Sequence, residues 1–195
     1  KLNSAEFPGA GKTVADKITE LVGTIGENMT LRRAASVSVD NGVVASYVHN
    51  QVAPGVGKIG VLVAVETTAD KAAAEAFGKQ VAMHVAASNP NYVSDRDVPS
   101  EQLEKEREIL SDQARQEGKP DEIVAKMVEG RLRKWLAEIT LVGQPFIMDT
   151  DQTVGKLLKA AGAEVTDFIR FEVGEGIEKK EDDFVAEVMA QVQGA

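Results

Sequence analysis

The sequence predicts an α+β fold, and three observations carry that expectation. Apolar residues recur at helical spacing in several segments. Elsewhere β-branched residues run together or alternate with polar ones, and Gly- or Pro-bearing breaks separate the two kinds. The 195 residues are 43% hydrophobic and 27% charged, the balance of a folded chain able to bury a core.

Thr13 with Asp16 three residues later is a capping box with the shorter acid, and Val14, Ile18, Leu21, Val22 and Ile25 follow on one helical face that closes at Asn28. Residues 31–39 and 43–49 are β-prone. Asp40-Asn41-Gly42 between them predicts a hairpin turn, because Asn and Gly accept positive φ. A loop at 51–58 leads into residues 59–65, a run without a polar side chain that reads as a strand covered on both faces. Together these three predict a meander packed against at least one helix. Residues 70–88 form the next helix, with Phe77, Val81 and Val85 on one stripe and Asn89-Pro90 as its stop.

From about Asp97 the chain becomes densely charged, and only Leu103, Ile109, Leu110 and Ala114 give residues 101–116 an apolar seam. Gly118 stops that helix and Pro120 opens another, striped by Val124, Met127, Val128, Arg131, Leu132, Trp135 and Ile139. Two antiparallel helices joined this way make a hairpin expected to project and to pack on itself or on a partner. The basic strip Lys126, Arg131, Arg133 and Lys134 is expected to pair with the acidic first arm. A break at Gly143-Gln144-Pro145, a short helix over 153–161 and an alternating strand over 165–173 follow. A small amphipathic helix over 182–192 ends the series.

Composition removes whole classes of chemistry. There is no cysteine, so no disulfide, thiolate nucleophile or Cys-ligated zinc. The two histidines, His49 and His84, exclude a three-histidine metal site within one chain and stand near no triad partner. A formal charge of −9 argues against a sequence-independent grip on nucleic acid. No apolar run approaches the roughly 20 residues of a membrane span, which favours a cytoplasmic setting without membrane contact. Gly11-Lys12-Thr13 imitates the end of a phosphate-binding loop, but Glu6 stands where that motif needs its first glycine, so the segment reads as a lead into a helix cap. No catalytic residue, cofactor or metal site emerges from the residues.

Particular strings say more. Ile25-Gly26-Glu27-Asn28-Met29 with Arg32-Arg33, Ala82-Met83-His84-Val85-Ala86-Ala87-Ser88, and Gly118-Lys119-Pro120 resemble the bacterial elongation factor Ts family. So do Lys126-Met127-Val128-Glu129-Gly130-Arg131, Gly143-Gln144-Pro145-Phe146 and the stretch 168–179, and all occur in the family's order. The resemblance implies two small core subdomains of antiparallel strands packed with helices, the first over 1–69 and N-terminally incomplete, the second over 70–96 and 140–178. It also implies a protruding coiled-coil hairpin over 97–139 and a C-terminal helix module over 179–195.

The implied activity is guanine-nucleotide exchange on elongation factor Tu in translation elongation, with GDP released by disturbing Tu's magnesium and phosphate site. No bond is made, so the protein is expected not to be an enzyme. Residue by residue, Ile59 and Gly60 look like the pair that touches Tu's nucleotide-binding domain, and His84 looks like the histidine that packs against a helix there. Ile147 and Met148 look like the pair that meets a separate domain of Tu, with Ile147 where the family often has valine. A homodimer or a 2:2 complex with Tu is compatible with this reading. The family's N-terminal helical domain and Thr-Asp-Phe-Val motif would precede Lys1, so weaker exchange is expected than from a form carrying them. Thr166-Asp167-Phe168 repeats three of those letters inside the last strand, as a coincidence. The alternative function is a dimerising or tethering module without exchange activity, and a remoter one is nucleotide hydrolysis.

Overall fold

The computed structural model describes residues 1–118 and 120–177. The chain divides into two compact units, Lys1–Ser38 and Val39–Ala195. The expected helix at 182–192 and the module at 179–195 lie outside the described residues.

In the first unit, α1 (Val14–Ile25) begins at the predicted capping box. The Thr13 hydroxyl accepts from the Asp16 amide at 3.2 Å, and the Asp16 carboxylate accepts from the Thr13 amide at 3.2 Å. The Thr13 hydroxyl also donates to that carboxylate at 2.6 Å, and this bond, with the one from the Thr13 amide, holds the Asp16 carboxyl below its ordinary range. The helix ends earlier than the sequence suggests, at Gly26 in the left-handed region. Lys12, the lysine of the phosphate-loop imitation, places its ammonium 2.6 Å from Glu20. The segment before it forms a 3-10 turn at Leu2–Ser4 and an isolated bridge, Glu6 to Thr13, so it lacks the strand a phosphate-binding loop follows.

The second unit is built on a three-stranded antiparallel sheet in the order β1 (Gly42–Ala53), β2 (Val56–Thr67), β5 (Ala163–Glu172). Two expectations are corrected here. Residues 31–39 form no strand, and Asn41-Gly42 is not a hairpin turn. The turn joining β1 to β2 is Pro54-Gly55, with Gly55 at φ 73°, the pair of residues a type II turn takes. The third strand comes from far along the chain, so the sheet is no meander. β propensity counts only where a partner completes the ladder, and the third strand is β5, which pairs with β2 on the side away from the β1 edge that residues 31–39 would have joined.

α2 (Lys71–Ser88) packs on β1 and β2. Asp70 caps it by accepting from the amides of Ala72 and Ala73. The close approach depends on Gly78, where a Cβ would lie 2.7 Å from the Ala45 Cβ and 3.3 Å from a Val65 methyl. Val63, Val65, Val81, Val85, Leu141 and Val154 are completely buried in this core. At the helix end, Pro90 has no N–H for the Ala86 carbonyl, and the Arg170 Nε of β5 donates to it at 3.3 Å. Arg170 also pairs with Glu172 at 2.9 Å, and that hydrogen bond leads the causes holding the Glu172 carboxyl below its ordinary range.

α3 (Ser100–Gln116) and α4 (Asp121–Ile139) form the predicted hairpin around a second core of Leu110, Ala114, Val124, Val128 and Leu132. Trp135 packs on it, as expected. Ion pairs cross the seam from Arg131 to Glu117 at 2.7 Å and from Arg107 to Glu129. Lys134 pairs instead along its own helix with Glu138, so only part of the basic strip faces the other arm. A small hairpin follows: β3 (Pro145–Phe146) and β4 (Asp149–Thr153), which the sequence did not reveal, run into α5 (Val154–Ala160).

Candidate functional site

The five residues singled out from the sequence fall on two features of the second unit. Ile59 and Gly60 are neighbours on β2, and a strand sends neighbouring side chains to opposite faces. Ile59 stands between His49 of β1 and Glu172 of β5 and is a core side chain, 9% exposed. His49 lies within the strand, its Nδ1 3.1 Å from the Tyr47 hydroxyl.

Gly60 stands between Val48 and Phe171 on the other face and is exposed. A Cβ at Gly60 would meet nothing within 4 Å. The protein's own packing therefore gives no reason for glycine in the middle of this strand, where it weakens the ladder. A bare backbone in a strand suits close approach by another molecule.

Ile147 and Met148 are the two loop residues of the β3–β4 hairpin, whose flanking pair is Phe146 with Asp149. They are 39% and 58% exposed, whereas Phe146 beside them is buried. Two-residue hairpin loops are ordinarily closed by turns with positive φ, yet neither residue takes one. An apolar pair is thus displayed on a turn that needs support from elsewhere.

That support comes from His84. Its imidazole is completely buried on α2, with its ring centroid 5.8 Å from that of Phe146. The Ile147 amide donates to His84 Nδ1 at 3.3 Å. On the other side, Nε2 lies 2.9 Å from Gln144 Oε1. Burial lowers the pKa of His84 below the ordinary histidine value, while the hydrogen bond to Gln144 works in the opposite direction. His84 and Ile147 are therefore brought together. No hydrogen bond joins that group to Ile59 or Gly60 among the described residues, although Ile59 and Phe146 share one apolar core.

Gln144, which the sequence marks only as part of a break and of a family-like string, belongs to this site. Its amide nitrogen donates to the carbonyls of Glu138 at 2.8 Å and Ser88 at 3.4 Å, near the ends of α4 and α2. A polar residue inside a turn flanked by Leu141 and Phe146 was the available signal, because a buried amide must find partners. Groups of three or more His, Asp or Glu residues able to hold a metal are absent among the described residues. No helix among them is long and apolar enough to cross a membrane.

The sequence profile of the family described as "Elongation factor TS" matches residues 1–175. The chain belongs to the elongation factor Ts family. Curated proteins named elongation factor Ts resemble it along almost all of its length. That of Bartonella tribocorum is 56% identical over 194 residues, covering 96% of this chain and 63% of that protein. Those of Mesorhizobium japonicum and Rhodospirillum rubrum are 53% and 51% identical, covering 97% and 98% of this chain and 64% of each relative. The chain thus spans a little under two thirds of these elongation factor Ts proteins.

Proposed function

We propose that the chain docks on elongation factor Tu and promotes release of GDP from it. Family membership supports this reading, and Gly60 is the observation that carries it furthest: an exposed strand glycine with no internal reason to be glycine. The Gly60 backbone, flanked by Val48 and Phe171, would meet Tu's nucleotide-binding domain. The displayed Ile147–Met148 pair would meet a second domain. Holding two domains of Tu at once couples a change in their arrangement to the nucleotide site.

Exchange needs no bond to be made. A bound nucleotide depends on Mg²⁺ and on backbone amides around its phosphates, so a small shift of those elements speeds release. By linkage, a factor that prefers nucleotide-free Tu must weaken nucleotide binding by the same factor. The tethering alternative has less support, because the apolar seam of the hairpin is closed by its own two arms.

Release of a fluorescent GDP from loaded Tu tests the proposal. The chain should accelerate it, and Gly60→Phe, at a position where an added Cβ meets nothing within 4 Å, should remove at least about 10-fold of the acceleration, equivalent to about 1.4 kcal/mol. A release rate equal to that of Tu alone would overturn the reading.

A further inference from the structure

The resemblance casts His84 as a residue that touches the partner, but its imidazole is completely buried and both of its nitrogens are engaged within the chain. The hydrogen bonds can be followed from the helix ends outward. Gln144 points its NH₂ at two carbonyls, Glu138 O and Ser88 O, and only NH₂ can donate to them. Its Oε1 must then face His84, where it requires a donor, so Nε2 of the imidazole carries the proton. A neutral imidazole protonated at Nε2 leaves a lone pair on Nδ1, and the Ile147 N–H occupies it. The main chain of Gln144 is used as well: its amide donates to Thr140 O at 3.1 Å and its carbonyl accepts from Val154 N at 3.0 Å.

We propose that His84 and Gln144 are positioning residues that fix the Ile147–Met148 turn for docking, and that the imidazole itself makes no contact with the partner. The role in docking rests on the reading that this turn meets Tu. The hold on the turn rests on the geometry alone. The turn lacks the positive φ of a self-sufficient two-residue loop, and its first amide is the one His84 secures. The chain of contacts runs from the ends of α2 and α4 through Gln144 and His84 to two exposed apolar side chains.

A pair of substitutions separates the two nitrogens. In His84→Asn, the side-chain oxygen takes the place of Nδ1 and can still accept from Ile147. In His84→Gln, the side-chain amide takes the place of Nε2 and can satisfy Gln144 but leaves Ile147 unheld. Each variant loses one buried hydrogen bond, so a merely structural role predicts similar behaviour. The proposal predicts that His84→Gln weakens Tu binding about 10-fold and that His84→Asn stays within about 3-fold. With Ile147 and Met148 both changed to Ala, His84→Gln should cost less than about 2-fold more. Equal losses for Asn and Gln, or an undiminished loss in the truncated background, would overturn it.

Two measurements do not involve Tu. The ¹⁵N shifts of His84 in the native chain should show the Nε2–H tautomer, and the Ile147 amide should exchange faster in His84→Gln but not in His84→Asn. The Nδ1–H tautomer, or unchanged Ile147 exchange in both variants, overturns the hold on the turn. Failure of the native chain to bind Tu instead overturns docking, and with it the role in docking, while these two measurements still decide the hold.

Discussion

The central sheet with α2 and the α3–α4 hairpin are held together in two different ways. The sheet is completed by a strand distant in sequence, and its core holds completely buried side chains such as Val63, Val81 and Leu141 together with a fully satisfied polar relay. The hairpin has one narrow seam, and its cross-arm ion pairs are exposed, where such pairs contribute little. Buried contacts and internal hydrogen bonds are thus concentrated beneath the turn that presents Ile147 and Met148. The hairpin depends on local pairing of its two arms.

The largest expected effect compares the two cores directly. Leu141→Ala should cost about 2–5 kcal/mol in urea denaturation, since the buried site cannot refill the lost volume. Leu132→Ala in the hairpin seam should cost less, and its faster amide exchange should be confined to residues 100–139. Equal shifts for both would break the comparison.

A pair of glycines sharpens it. Gly78→Ala should destabilise by about 1–3 kcal/mol, because the new methyl meets Ala45 and Val65. Gly130→Ala, in α4 with nothing within 4 Å of a Cβ, should stabilise by about 0.5–1 kcal/mol, the ordinary preference of a helix for alanine. Thermal melts read both signs, and the same sign in both places would contradict the account.

The smallest effect is one of pH. Burial depresses the folded-state pKa of His84, so between that value and the unfolded value of about 6.5 the unfolded chain binds a proton that the native chain refuses. This contribution to stability is complete above about pH 6.5 and is lost as pH falls below it. Protonation would also take the lone pair from Ile147. Subtracting the pH profile of His84→Asn from that of the native chain should isolate the step, and superimposable profiles would show that His84 does not titrate on unfolding.

Helices were the most legible part of the fold because their signals are local. Thr13 with Asp16, Asp70, and Gly118 followed by Pro120 mark ends that depend on residues a few positions away. The sheet was less legible. Asn41-Gly42 and Pro54-Gly55 both carry turn residues, and the pairing of β1 with β2 closes the second, while the third strand, β5, lies beyond residue 160. At the site, Gly60, Ile147 and Met148 were reached through resemblance, and their exposure fits a docking role. His84 was reached the same way, yet its burial and its bond to Ile147 follow from contacts 60 or more residues apart. The local signal at Gln144 is only that of a polar residue in a turn flanked by Leu141 and Phe146.

Calorimetric titration of the chain into nucleotide-free and GDP-bound Tu separates an exchange factor from a passive binder. Binding to nucleotide-free Tu should be tighter by at least about 10-fold, and that tightness should be lost when Gly60→Phe is combined with Met148→Ala. Equal affinity for the two forms of Tu would contradict it, because a partner that does not distinguish them cannot drive nucleotide release.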